Sequence, residues 1–356
     1  MSPSSPPHSE RLTVAVIFGG RSSEHQISCL TAREVLAVID RTRFDVRAIG
    51  ITRDGQWVEE SAVWDDLEPG VLPEVRAENT AVEWESIRNF DVVFPLLHGP
   101  WGEDGTLQGL LELAAVRFVG AGVLASALSM DKQYSKVVFS AGGLPQVQHV
   151  TVLPGQWDRE PEKVRARVKA LGLPVFVKPA RAGSSEGVTR VNDFDDLEAA
   201  IKEACGHDPK VLVEAAVTGG RELECGVIQT PDGTPVASVV GEVVVLPNSG
   251  HTFYDFESKY LDGSNNVVVP ANLPVTISER IRAYAIQAFE AVGCEGLARV
   301  DFFLSDSGLV INEINTMPGF TSSSLFPTLW AESGVPYEKL VERLIELALA
   351  RPTGLR

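Results

Sequence analysis

The chain has 356 residues, 44% hydrophobic and 22% charged, with 48 acids against 31 bases for a formal net charge of −17. That length supports two or three domains with cores of their own, while the acidity and the lack of a basic stripe speak against nucleic-acid binding and oblige any anionic ligand to find local bases or metal ions. Four scattered cysteines, Cys29, Cys205, Cys225 and Cys294, form no C-x-x-C pair, and no apolar run is long enough to span a membrane, so zinc-finger, thiol-redox and membrane-spanning classes are all disfavoured.

In chain order, residues 1–10 (MSPSSPPHSE) are rich in Ser and Pro and lack the apolar core of a signal peptide; they read as a disordered tail on a cytoplasmic protein. Leu12 to Phe18 is a continuous apolar run ending in Gly19-Gly20, the pattern of a buried parallel strand. Ser22 or Ser23 can cap a helix with apolar positions Ile27, Leu30, Val35 and Val38. Phe44 to Ile51 is a second strand, and residues 53–88, acidic and poorly periodic, read as an irregular insertion. Asp91 to Leu97 is another buried strand, leading into HGPWGEDG, a helix from about Thr106 and a short strand at Val116 to Val119. This alternation predicts a doubly wound domain. Such sheets bind ligands beyond the carboxyl ends of their strands, where Ser22-Ser23-Glu24-His25 and His98 with Glu103-Asp104 fall. No G-x-G-x-x-G is present, so no dinucleotide site is assigned; singly, Glu24 could simply favour the helix dipole and His98 could be a turn residue.

A second unit starts around Val123. Asp131-Lys132 opens a helix that Gly142-Gly143 ends. Leu173 to Val177 is a strand running into KPARAGSSEGV, with Val188 to Arg190 as its hairpin partner, a helix at Asp195 to Cys205 and a strand at Val211 to Glu214. Arg221 to Ile228 opens a third unit, and the last helix runs from Tyr337 to Ala350.

That third unit carries ARVDFFLSDSGLVINEINTMPGF, Ala298 to Phe320, in which Arg299, Asp301, Glu313 and Asn315 interrupt two apolar strands. Ser305-Asp306-Ser307-Gly308 marks a hairpin turn. A three-residue loop with Gly308 left-handed pairs Ser305 with Leu309, Asp301 with Glu313 and Arg299 with Asn315, which gathers the polar groups on one face; an even-length loop would scatter them. Facing carboxylates repel unless a cation lies between them, and a set made of oxygen donors suits Mg2+. Mg2+ sites of this kind usually share a substrate phosphate. KPARAGSSEG offers one place for it: Lys178, Arg181 and glycine-rich backbone with two serine hydroxyls. Lysine precedes the glycines, so this is no Walker A loop, and a plain surface turn would fit it as well.

Taken together, FGGRSSEHQIS, LHGPWGEDGTLQG, GVLASALSMDK, VKPARAGSSEGV, TFYDFESKY and ARVDFF…INEINTMPGF resemble the D-alanine–D-alanine ligases of the ATP-grasp superfamily, from about Val14 to the final helix. The resemblance implies an α/β ATP-grasp fold in three parts: a Rossmann-like N-terminal substrate domain with a doubly wound parallel sheet (11–122), a central ATP-grasp subdomain (123–213) and a C-terminal one with a lid loop and the metal hairpin (214–356). It implies ATP and two Mg2+ ions (Mn2+ able to substitute) as cofactors, D-alanine as substrate and a homodimer. Lys132, Lys178, Ser184 and Ser185 would face the ATP phosphates, Glu214 the adenine edge and Glu222 the ribose. Asp301, Glu313 and Asn315 would hold the metal, and Asn312 would contact the ATP. Lys259 in the lid would reach the γ-phosphate. Glu24 would bind the first D-alanine's ammonium in a group with Ser184 and Tyr260. Arg299 and the Gly319 amide would form the oxyanion site, and Ser324 and Leu325 would bind the second D-alanine. His98 and the Ser184–Tyr260 pair are both candidates for assisting deprotonation of the attacking ammonium.

Two departures stand out. Glu186 occupies a position where the family usually has a small apolar residue, so it should weaken ATP binding unless it points outward. TGGREL carries one extra glycine. Two rival readings are a D-alanine–D-lactate ligase, against which Tyr260 argues, and a nucleotide-binding regulator without catalysis, against which the presence of Glu24, Arg299 and Glu313 argues.

Overall fold

A computed structural model describes residues 11–60, 64, 71–245 and 265–354. The first sheet has strand order β3-β2-β1-β4. Its elements run β1 (Leu12–Gly19), α1 (His25–Val38), β2 (Phe44–Ile51), β3 (Trp57–Glu59), β4 (Val92–Pro95) and α2 (Thr106–Leu113). β1 is parallel to both β2 and β4, and Val14 to Phe18 are fully buried, as an unbroken apolar run requires. The expected strand at Val116 to Val119 is reduced to one parallel bridge between Val93 and Phe118.

Two expectations are corrected here. Neither Ser22 nor Ser23 caps α1: its N-cap is Glu24, with no side-chain capping bond. Ser22 donates instead to the His98 carbonyl at 2.7 Å, and Ser23 to Glu186 at 2.9 Å. The stretch 53–88 is not simply irregular. β3 pairs antiparallel with β2, Trp84–Asn89 forms a 3₁₀ turn, and Trp64, Val75 and Ile87 are buried, with Trp64 edge-on to Phe18 at 5.3 Å.

Next come α3 (Val123–Met130) and α4 (Lys132–Ala141), the latter capped by Asp131, which accepts from the amides of Gln133 and Tyr134. The second sheet, β5-β8-β6-β7, is antiparallel throughout. It is built from β5 (His149–Val152), β6 (Val175–Pro179), β7 (Thr189–Val191) and β8 (Val211–Ala215), with α5 (Gln156–Arg159), α6 (Pro161–Lys169) and α7 (Leu197–His207).

The third sheet has the order β11-β10-β9-β12-β13. It comprises β9 (Arg221–Gln229), β10 (Pro235–Val245), β11 (Asn265–Val268), β12 (Leu297–Ser305) and β13 (Gly308–Asn315), with α8 (Val275–Ala291), α9 (Leu325–Glu332) and α10 (Tyr337–Ala350). Ala125 of α3 and Phe139 of α4 share the core of this sheet with Ile281, Phe289 and Val300. Phe320, Phe326, Trp330 and Leu344 pack with Phe18 and Phe94, so the end of the chain closes onto the first sheet. Helix α9 lies close over β9. A methyl group on Gly226 would fall 2.8 Å from the Trp330 indole nitrogen, so only glycine admits the helix there.

The metal-hairpin register holds where it matters and differs at the turn. Arg299 faces Asn315 and Asp301 faces Glu313, as expected. Ser305, however, pairs with Gly308 rather than Leu309, so the loop has two residues. A bulge at Asn312 shifts the register by one and restores the polar residues to a single face.

Candidate active site

A cleft of about 440 Å³ is walled by the second and third sheets and by the segments that follow β1 and β4 of the first. Its wall includes Glu24, His98, Lys132, Lys178, Ser184, Ser185, Glu214, Glu222, Arg299, Asp301, Asn312, Glu313, Asn315 and Gly319. Residues more than 290 apart in sequence therefore share one space. Ser324 and Leu325 stand just behind it. Ser324 accepts from the Thr321 amide at 3.1 Å, its hydroxyl lies 3.2 Å from where a Gly319 side chain would begin, and Leu325 is buried beside Val243 and Leu329. Lys259 and Tyr260 lie outside the described residues.

The acidic face of the third sheet is laid down by strand register. Asp301 on β12 stands opposite Glu224 on β9 and Glu313 on β13, placing three carboxylates in one row across neighbouring strands. Two cations meet them. Arg299 grips Asp301 with two bonds of 2.7 and 2.8 Å and reaches Glu224 at 2.8 Å, while Lys132 lies 3.4 Å from Glu313. The Asn315 amide donates to Asp301 at 3.0 Å. Asp301, Glu313 and Asn315 thus offer oxygen donors on a surface where acids outnumber bases, a donor set that fits a hard divalent cation. Among the described residues, no three His, Cys, Asp or Glu side chains form a metal-binding group by themselves; the amide of Asn315 has to be the third member.

Lys132 also donates to the Ala182 carbonyl at 2.8 Å, tying the glycine-rich loop to the hairpin. Ser184 and Ser185 in that loop have φ of +48° and +58°, a left-handed backbone that costs about 1–3 kcal/mol per residue outside glycine. The Ser184 hydroxyl donates to Glu24, and Glu186 accepts from Ser23 with His207 3.4 Å from its other oxygen. Glu186 lines the cleft, and its carboxylate is held at the seam with the first domain by Ser23 and beside His207.

Glu214 and Lys178, expected at the adenine and phosphate ends, are paired with each other in the structure, and Lys136 is 2.6 Å from the same carboxylate. Phe176 stands opposite Glu214 on β8 and Lys178 follows two residues on, so a long side chain reaches it diagonally. Burial alone would raise the Glu214 pKa, yet the two ammonium groups outweigh it and hold the carboxyl down at about 2. Sequence reasoning missed Lys136 and Glu224. Lys136 stands one helical turn beyond Lys132, where a lysine ordinarily faces solvent, and only the remote strand β8 makes it a buried residue.

The histidines at the strand ends are neutral fasteners. His25 bonds Gly20 O through Nδ1 at 2.6 Å and accepts from the Val75 amide at 3.2 Å. His98 places Nδ1 3.2 Å from Met317 O and Nε2 3.2 Å from the Thr31 hydroxyl. Burial lowers both pKa values from the ordinary 6.5. The unfolded chain would protonate these rings below about 6.5 while the folded chain resists, so folding stability is present above that pH and is lost as pH falls beneath it. Thermal unfolding should therefore show a lower midpoint at pH 5 than at pH 7.5, and His25→Gln should flatten that slope.

The sequence model described as "D-ala D-ala ligase N-terminus" matches residues 13–121, and "D-ala D-ala ligase C-terminus" matches 138–346. The chain belongs to the D-alanine–D-alanine ligase family. It is 52% identical to the D-alanine–D-alanine ligase of Kineococcus radiotolerans, over 96% of this chain and 98% of that one. It is 51% identical to that of Mycobacterium sp. strain KMS, over 98% and 99%. Among solved structures, VanG D-Ala:D-Ser ligase from Enterococcus faecalis superposes with a TM-score of 0.79 at 34% identity, covering 95% of this chain and all of that one. The Coxiella burnetii D-alanine–D-alanine ligase gives 0.75 at 32% identity, over 96% and 94%. The architecture is accordingly the ATP-grasp fold with an N-terminal doubly wound domain. Among the described residues, no helix is long and apolar enough to cross a membrane.

Proposed function

We propose that the chain joins two D-alanines to D-alanyl-D-alanine with conversion of ATP to ADP and phosphate, supplying a peptidoglycan precursor in the cytoplasm. The observation that carries this reading is the meeting, in one cleft, of the Lys132–Glu313 junction, the oxygen-donor hairpin and the Glu24–Ser184 pair. Residues 11–122, 123–213 and 214–356 act as substrate, central and C-terminal parts, and the chain works as a homodimer with no nucleic-acid partner.

A carboxylate is a poor electrophile, and ATP activates it by forming D-alanyl phosphate. Lys132 and Lys178 bind the phosphates, Glu214, Glu222 and Asn312 contact the nucleotide, and Asp301, Glu313 and Asn315 would hold two Mg2+, for which Mn2+ could substitute. The metal held there would supply positive charge to offset that of the phosphates. Glu24, fixed by Ser184, binds the first ammonium. Arg299 and the Gly319 amide stabilise negative charge on the carbonyl oxygen. Ser324 and the start of α9 at Leu325 bind the second carboxylate. Lys259 and Tyr260, outside the described residues, are assigned by the family resemblance to the γ-phosphate and to the Glu24–Ser184 group.

ADP release should require D-alanine and fail with L-alanine. With D-lactate or D-serine offered as the second substrate, D-alanine should remain the preferred acceptor near neutral pH; a depsipeptide product formed in preference would overturn the assignment. Glu24→Gln should raise the KM for the first D-alanine by about 10- to 100-fold, as expected for loss of a charged hydrogen bond, with a smaller change in kcat. Saturation curves over D-alanine at fixed ATP check this, and an unchanged first-site KM would remove Glu24 from its role.

A further inference from the structure

We propose that Glu103 receives the ammonium of the attacking D-alanine and takes its proton, an assignment that rests on the ligase reading above. Glu103 lines the cleft with Glu24, His98 and Arg299. Its Oε2 accepts from the Gly99 amide at 2.5 Å. A Cβ on Gly99 would fall 2.6 Å from the Glu24 carboxylate. The two acids are therefore separated by the width of a single glycine, and only glycine fits between them, held at φ +73°.

Among the described residues, the competing bases are otherwise engaged. Both ring nitrogens of His98 are turned to Thr31 and Met317, and a neutral ring in that arrangement donates through one and accepts through the other. The Ser184 hydroxyl is spent on Glu24. Closing the turn does not require the Glu103 side chain, because the Gly99 carbonyl already accepts from the amides of Gly102 and Glu103. A second carboxylate packed beside Glu24 is costly to keep, and a cation binding between the two relieves that cost. The α-ammonium groups of two amino acids are such cations, one for each acid.

The charged and titratable groups facing Glu103 are Glu24 at the start of α1, Arg299 on β12 and His98 on the same turn, together with main-chain groups of Gly99 and Met317. Burial and then Glu24 push its carboxyl up to about 8, against the bonds from Gly99 and Met317. An acid of that strength is better matched to an ammonium than an ordinary carboxylate. The step balances. One N–H proton of the ammonium passes to the Glu103 carboxylate, and the freed lone pair forms the C–N bond at the acyl carbon. The C–O bond to phosphate then breaks with its electron pair, and the second nitrogen proton leaves with the phosphate.

Glu103→Gln separates activation from attack. Positional isotope exchange in γ-18O-labelled ATP with D-alanine reports phosphoryl transfer, and hydroxylamine, neutral near neutral pH, traps the acyl phosphate without first losing a proton. The variant should keep isotope exchange and hydroxamate formation at wild-type rates while ligation falls by about 100-fold or more, the range of a lost general base. Its ligation rate should also lose the rise with pH expected of the wild type through the region of 8. Equal loss of hydroxamate and dipeptide, or an unaltered pH profile, would overturn the assignment. Glu103→Asp, which keeps the charge, should retain the pH profile at a reduced rate and serves if the glutamine variant does not fold; wild-type rates from it would equally count against the proposal. A wild-type chain that forms no D-alanine hydroxamate would instead overturn the ligase reading itself, and this assignment with it.

Discussion

Glu313→Gln will abolish turnover and leave the fold in place. Glu313 faces Asp301 across the hairpin and touches Lys132 at 3.4 Å. Glutamine keeps the shape, the strand pairing and one oxygen, but it removes a charge from the facing pair Asp301 and Glu313 that β12 and β13 hold at the cleft wall. A neutral amide is a much weaker ligand for a hard divalent ion than a carboxylate, and Lys132 loses its anion at the same time. The expected loss in kcat is at least about 100-fold, the scale seen when groups that hold or orient a metal are removed. Stability should change little, within about 1 kcal/mol, since the ion pair is long at 3.4 Å and glutamine keeps the shape and hydrogen-bonding capacity of the side chain. ADP release at increasing Mg2+, beside a thermal unfolding curve, checks both halves. Wild-type turnover in this variant would remove Glu313 from the metal site.

The same hairpin shows how far sequence carries and where it stops. Alternation in ARVDFF and INEIN is enough to say that Arg299, Asp301, Glu313 and Asn315 share a face, provided the loop has odd length. The loop turned out even, and a bulge at Asn312 supplied the missing residue. Local composition cannot distinguish a three-residue turn from a two-residue turn followed by a bulge, because both consume the same number of residues between Asp301 and Glu313. What was legible was the pairing that function requires; what was not legible was the backbone device that achieves it.

Long-range partners account for most of the rest. Glu224 lies in a strand whose alternation is plain, but only the pairing of β9 with β12 reveals that it stands opposite Asp301. Lys136 reads as the exposed face of a helix until β8 brings Glu214 to 2.6 Å. In residues 53–88 the strand is three residues long, too short to show a period, and Trp64 and Val75 enter the core singly rather than as part of a pattern. Conversely, the continuous apolar runs at Leu12 to Phe18 and Asp91 to Leu97 needed no partner to be recognised, because a strand buried on both faces carries its environment in its own composition.

Arg299 is the second position where a large effect is expected, and there activity and stability can be pulled apart. The guanidinium holds Asp301 with two bonds and Glu224 with a third contact at 2.8 Å, and Glu224 is buried. Arg299→Met removes all of these. Glu224 is then left as a buried carboxylate that has lost its strongest cation, and breaking a buried pair in this way costs about 3–5 kcal/mol. Turnover should fall as well, by about 100- to 1000-fold if the guanidinium supports the developing oxyanion. The methionine variant alone cannot say which loss drives the other. Arg299→Lys can, because an ammonium still neutralises Glu224 but cannot form the planar two-bond grip on Asp301 while also reaching a carbonyl oxygen. Urea unfolding should place the lysine variant near the wild type, whereas its kcat should remain at least about 100-fold down. A lysine variant with both stability and kcat restored would mean that Arg299 acts only as a counter-charge, and the oxyanion role would pass to the Gly319 amide alone.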